Sequence, residues 1–522
     1  MRSWVCTIAG LFILGCQPTI KADYVIENGS VFLGDQSSAQ DYIVAVRDDK
    51  IIYVGEPISV KANQLINAKG LFVIPGFIDP HTHSLQELRS NDADTRLNKN
   101  YLFQGVTTVV NGSDGIGDPD ISGLTAELET LGIGTNTALM IGHGALRKSV
   151  IGGDRRAPTP DELDRMKQQV QVGMDAGALG LSTGLFYAPG SFSETDEVIA
   201  LAKVASDNGG IYDSHIRDEA TYNIGLEAAI SEVIEIAREA NIPANISHVK
   251  ALGVDVWGKS EAIINMVEAA RADGLNITAD QYPWQASGTR ISNALLPRWV
   301  KSGSEQDYMA RLSDPALADR IRRETAENLR RRGGPEAILI TQANPDWQGQ
   351  TLAQLAAKYK ISSIDMAIKI AREGDARIAS FNMSQGDVER FMVQDWVMTS
   401  SDGSKGHPRK YASYPKKFYD YVRGQGLMSD ASFFYRSSGL VADTFGICDR
   451  GYLRPGYKAD IAIIDPDNFK PKADYQNPEL LASGVVYLFV NGQLAIKDNL
   501  LRSTPSGKVL KRCGKREDDH AQ

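Results

Sequence analysis

Cysteine is scarce in this chain, with four in 522 residues: Cys6, Cys16, Cys448 and Cys513. No two stand in a CxxC spacing, which excludes a cysteine-rich zinc site and a dithiol redox motif. An excess of positive charge is missing as well. The formal net charge of −9 leaves no overall pull toward nucleic acid or anionic lipid, so a nucleic-acid partner is excluded. The one long apolar stretch near the start, residues 4–14, is too short to span a bilayer, which takes about 20 residues. What remains is ordinary globular composition, 42% hydrophobic and 23% charged, in a chain long enough for at least two domains.

Arg2 ahead of that apolar stretch has the charge order of an export signal. The stretch ends in Ile13-Leu14-Gly15-Cys16, a small residue and then cysteine, which resembles a bacterial lipobox. The expectation is a signal over residues 1–16, with Cys16 lipidated as the first mature residue. The protein would then be periplasmic and held to a bacterial membrane through that lipid alone; the plainer alternative is an ordinary cleaved signal. Cys448 and Cys513 are left either paired in an oxidising compartment or as two free thiols.

Two flanking segments share one texture. Short β-branched runs such as Tyr42-Ile43-Val44-Ala45-Val46 and Ile461-Ala462-Ile463-Ile464 are bounded by Gly, Asn and Asp, as in antiparallel strands. Neither flank has enough strands for its own core, so residues 23–72 and 452–500 are expected to build one small β-sandwich together. Between them, over 73–451, short apolar runs alternate with helical stretches. The runs are 73–79, 106–110, 136–141, 178–181, 210–214, 244–247, 276–279 and 396–399. Eight strands each followed by helix make an α/β fold, the TIM-like (β/α)₈ barrel. The long gap before the eighth run reads as a mostly helical insertion, 286–390, over the barrel mouth.

Catalysis in such a barrel sits at the C-terminal ends of the strands. Of seven histidines, His81, His83, His143, His215 and His248 directly follow predicted strands. Any one alone would pass for a core histidine, but five at equivalent strand ends do not. In Asp79-Pro80-His81-Thr82-His83 the alternate residues of an extended chain face the same way, so both imidazoles can grip one ion. His215 and His248 face them across the mouth, and Asp402 adds a carboxylate. Imidazole with carboxylate suits Zn²⁺, one or two ions, with Mn²⁺ or Co²⁺ as alternatives.

These motifs resemble the amidohydrolase superfamily. Gly142-His143-Gly144, Gly177-Ala178-Leu179-Gly180-Leu181-Ser182-Thr183-Gly184, Ser247-His248-Val249-Lys250, Tyr282-Pro283 and His407-Pro408-Arg409 are similar to its D-aminoacylase family. Residues 180–185 contain no lysine, which separates the chain from hydantoinases, whose carbamylated lysine follows strand four. The resemblance implies a linear-amide hydrolase that removes the acyl group from N-acyl-D-amino acids. His81 and His83 would hold one metal, His215 and His248 the other, and Asp402 would bind the hydrolytic water and move its proton. Lys250, Tyr282 and Arg409 would hold the substrate carboxylate, with His143 and Tyr187 as further substrate contacts. A cation just beyond a metal ligand also implies a visiting anion on physical grounds alone.

The chain departs from that family pattern twice. Where the family has Gly-Asn-Cys-Gly with a ligating cysteine, this chain has Gly112-Ser113-Asp114-Gly115. A carboxylate bridges two ions, so Asp114 is expected to replace the thiolate. The loop Gly403-Ser404-Lys405-Gly406 is shorter than expected, which bears on side-chain specificity. Two other functions compete. A sibling hydrolase of cyclic amides or dipeptides would use the same site, whereas a binding lipoprotein on a dead barrel would have lost a ligand or the base, and none is missing.

Overall fold

A computed structural model describes residues 20–514. The candidate lipidation site Cys16 and the apolar stretch before it lie outside the described residues. Among those described, no helix is long and apolar enough to cross a membrane.

Both flanks build the sandwich. Its first sheet is N-terminal, with Ile20–Glu27 between Ile43–Arg47 and Val60–Asn67 and with Lys50–Gly55 at the edge. Its second sheet joins Ser30–Val31 and Phe72–Pro75 to Ile461–Ile464, Val485–Val490, Gln493–Lys497 and Leu500–Leu501. Alternating inward residues from both ends, such as Ile26, Val44, Val46, Val73, Ile461, Ile463 and Phe489, share one core. Neither flank could close that core alone.

The eight barrel strands are Phe77–Thr82, Val106–Asn111, Asn136–Leu139 continuing as Ile141–Gly142, Gly180–Gly184, Ile211–His215, Ala244–Ile246, Ile277–Gln281 and Val397–Thr399. Neighbours pair in parallel from first to eighth, and a parallel bridge between Thr82 and Gly403 closes the ring. Helices such as Pro160–Asp175, opened by a Thr159–Glu162 capping box, cover the outside.

Two expectations need correction. The run 73–79 is not one strand. Phe72–Pro75 pairs antiparallel with Ile461–Ile464 in the sandwich, and the barrel strand starts only at Phe77. Gly76 is the joint: a Cβ there would meet the Thr107 side chain at 2.3 Å, so only glycine lets the chain change sheets at this contact. The insertion is also less helical than expected. Ala286–Arg290, Ile338–Gln342 and Arg377–Phe381 form an antiparallel three-stranded sheet, with Arg377–Phe381 in the middle, beside a separate apolar core of Ile291, Leu295, Met366, Ile370 and neighbours.

The C-terminal tail returns to the barrel. Val509–Leu510 pairs in parallel with the third strand, and Cys513 is disulfide-bonded to Cys448 with a Cα–Cα distance of 5.5 Å. Of the two alternatives for these cysteines, the structure has the pair.

Candidate metal centre

The strand ends bring four imidazoles and two carboxylates together. His81 lies within the first strand and His83 one residue past it; His215 ends the fifth, and His248, Asp114 and Asp402 follow the sixth, second and eighth. Asp114 (φ 57°), His248 (φ 38°) and Asp402 (φ 45°) all have left-handed backbone. Three non-glycine residues held in that sparsely populated region at one site indicate turns shaped for where their side chains point.

Asp114 sits at the centre. Its Oδ1 lies 3.4 Å from His81 Nε2, 3.4 Å from His215 Nδ1 and 3.3 Å from His248 Nε2, while Oδ2 lies 3.4 Å from His83 Nε2. The donor atoms therefore form two sets, His81–His83–Asp114 and Asp114–His215–His248, each with its ligand atoms within 4.8 Å of one another. Asp114 is common to both, as a bridging carboxylate requires. The division differs from the expected one in detail, because Oδ1 serves His81 as well as the two later histidines. His81 Nε2, 3.4 Å from Asp114 Oδ1, is buried without a hydrogen-bond partner. An unpartnered buried imidazole nitrogen beside a shared carboxylate is costly unless a cation meets it, so these residues fit one or two divalent ions of the zinc type.

Asp402 Oδ1 lies 3.2 Å from His83 Nε2 and 3.9 Å from His81 Nε2, and its Oδ2 is ion-paired with Arg409 at 2.7 Å. Burial alone would raise its pKa, but Arg409 and His83 more than offset this and hold it well below the usual carboxylate range. Burial likewise disfavours charge on His81, yet Asp114 outweighs it and pushes the imidazole up to about 9.

Lys250, Tyr282 and Arg409 do converge. Arg409 lies over the Tyr282 ring at 4.6 Å and Lys250 at 5.6 Å, and all three line one cavity of about 620 Å³ with His83, Asp114, His215, His248 and Asp402. Tyr187 lines it too, its ring 4.7 Å from that of His215. The expected visiting anion beside Lys250 is partly a resident one. Glu219 Oε1 accepts from Lys250 Nζ at 2.5 Å, and that Nζ also lies 2.8 Å from His248 Nδ1. Sequence reasoning missed Glu219; its signal was four-residue spacing from His215.

His143 does not belong to the site. It is fully buried, its Nε2 lies 2.8 Å from Glu197 Oε1, and Arg147 pairs with the same carboxylate at 2.5 Å. The helix His143–Val150 places His143 and Arg147 one turn apart on one face, turned toward Glu197 of the helix Thr195–Asp207 rather than the cavity.

Residues 64–330, just over half the chain, match the amidohydrolase family, and the chain belongs to it. It is 29% identical to a D-aminoacylase of Alcaligenes xylosoxydans xylosoxydans over 518 residues, covering 94% of this chain and 98% of that one. A solved D-aminoacylase with a binuclear metal centre superimposes with a TM-score of 0.80 at 28% identity, covering 94% of this chain and all of the other. The N-acyl-D-glutamate deacylase of Bordetella bronchiseptica, solved with zinc and a phosphonate mimic of the tetrahedral intermediate, gives 0.81 at 28% identity and the same coverage.

Proposed function

We propose that this protein hydrolyses N-acyl-D-amino acids to a carboxylate and a D-amino acid. One observation carries the reading: Asp114 lies within 3.4 Å of four imidazoles while Asp402, beside them, is bound to Arg409. Bound divalent ion would supply a Lewis acid that polarises the amide carbonyl and acidifies a water. The rest falls to the chain's own side chains. Asp402, with Oδ1 facing the donor sets, takes the proton from the attacking water and returns it to the leaving nitrogen. Lys250, Tyr282 and Arg409 draw in the substrate carboxylate, which competes with Asp402 for Arg409. Ser287, Gly288 and Thr289 of the insertion line the same cavity.

The test is a substrate panel: N-acetyl-D-amino acids, their L-enantiomers, a hydantoin and a dipeptide, each with and without prolonged chelation. Turnover of the D-series is expected, lost on chelation and restored by Zn²⁺, Co²⁺ or Mn²⁺. A preference for the hydantoin or dipeptide would move the protein to the sibling activity. Full turnover by metal-free protein, verified by elemental analysis, would sink the mechanism.

Export and lipid anchoring at Cys16 belong to the same proposal. The lipobox-like Leu14-Gly15-Cys16 supports it, as does the Cys448–Cys513 disulfide, a bond that persists in oxidising compartments. Mass spectrometry of membrane-extracted protein is expected to find acyl chains on Cys16, and Cys16→Ser to release the protein or block its processing. A mature N-terminus elsewhere, without lipid, would favour plain secretion.

A further inference from the structure

The proposed hydrolysis gives no task to Glu219, which lies against His215, His248 and Lys250. Glu219 is 5% exposed and stands four residues past His215, in the loop after the fifth strand. Its carbonyl accepts from the Leu252 N–H at 2.9 Å, which ties this loop to the one after the sixth strand, where His248 and Lys250 lie. The neighbouring Asp218 side chain accepts from the backbone N–H groups of Ala220, Asn223 and Gly225 and stiffens the turn.

The two oxygens of Glu219 divide between two imidazoles. Oε1 lies 3.3 Å from His248 Nδ1, and Oε2 lies 3.9 Å from His215 Nε2. On each ring this is the nitrogen turned away from Asp114, since His248 Nε2 and His215 Nδ1 face that carboxylate at 3.3 and 3.4 Å. An imidazole that offers one nitrogen to an ion carries its hydrogen on the other, so His248 Nδ1 and His215 Nε2 are both donors in the loaded site. His215 Nε2 has no hydrogen-bond partner, and Glu219 is the carboxylate beside it.

Lys250 sharpens the case. Its Nζ lies 2.8 Å from His248 Nδ1, and an ammonium has only hydrogens to offer. Two donors cannot bond to each other, and Oε1, 2.5 Å from that Nζ, is the acceptor that serves both. The same oxygen sets a negative charge beside a lysine that would otherwise repel a dication. His81 and His83 turn instead to Asp114 and Asp402.

We propose that Glu219 is a positioning residue for one donor set alone: it fixes the rings of His215 and His248, and thereby how tightly they and Asp114 hold an ion. The inference rests on the metal-dependent reading above, but not on which amide is cleaved.

Zinc titrations of the protein against a chromophoric chelator give the two affinities, and anomalous diffraction at limiting zinc shows which donor set fills. Glu219→Gln keeps the shape of the side chain but loses its charge and one acceptor. It is expected to weaken the ion on Asp114, His215 and His248 by ~10- to 100-fold, the usual cost of removing an outer partner of a metal ligand. The ion on His81 and His83 is expected to be weakened far less. Glu219→Asp, still a carboxylate, is expected to recover part of the loss, and it shows the same selectivity in smaller measure if the amide variant does not fold. Lys250→Met breaks the same ion pair yet leaves both oxygens to the imidazoles, so its zinc affinities are expected to stay near wild type. Unchanged zinc binding in Glu219→Gln, an equal loss at both donor sets, or an equal loss in Lys250→Met overturns the inference and leaves the deacylase reading standing. Wild-type protein that binds zinc at neither donor set removes both.

Discussion

Asp402→Asn is expected to lower kcat by about a thousandfold while metal content stays near wild type. A placed proton-transfer group is worth roughly 10² to 10⁴ in rate, and an amide in its place neither accepts the water's proton nor returns it to the amine. Metal should stay because His81, His83 and Asp114 form one donor set, and Asp114, His215 and His248 the other, without Asp402. A second effect separates this substitution from a silent one. Asp402 is the counter-charge of Arg409, which is 1% exposed. Breaking a buried pair from one side costs about 3–5 kcal/mol, so the melting temperature should fall as well. Elemental analysis, steady-state kinetics and a thermal melt on one preparation check all three. Retention of more than about a tenth of wild-type kcat would assign the proton transfer to another residue.

Asp114→Ala is expected to lose metal and at least ~100-fold in kcat/KM, beyond the 10- to 100-fold typical of outer-shell partners of a metal site. Removing it takes away the one carboxylate common to both donor sets and leaves four imidazoles facing one another, two of them, His215 and His248, only 2.9 Å apart. Backbone strain is a confounding cause, since alanine tolerates φ near 57° poorly. Asp114→Asn is the control: asparagine accepts that conformation but carries no charge, and it should fail nearly as badly. Asp114→Cys should keep partial activity and shift preference toward Zn²⁺, thiolate being the softer donor. Wild-type metal content and kcat/KM in Asp114→Ala would reduce Asp114 to a turn residue.

Much of this site was legible in one dimension, for a local reason. His81 and His83 alternate along a single strand, His215 and His248 close neighbouring strands, and Asp402 follows the last, so strand periodicity alone brings them to one rim. Asp114 was legible by position after the second strand, though not its left-handed backbone or the way Oδ1 serves three histidines. Features set by distant partners were not legible. His143 stands at a strand end like the others, and only Glu197, 54 residues away, shows that it turns outward. The three short strands of the insertion are separated by dozens of residues, without the tight turn that marks a hairpin. Gly76 read as the interior of one apolar run until its contact with Thr107 divided that run between two sheets.

The sandwich takes its second sheet from both ends of the chain, Phe72–Pro75 lying against Ile461–Ile464, and the barrel's third strand takes on Val509–Leu510. These pairings join segments more than 370 residues apart, so loop-closure entropy delays them. A ribosome-bound or partly threaded intermediate therefore lacks its final strands however long it waits. The sandwich and the barrel's third strand therefore depend on the same late-arriving C-terminal segments.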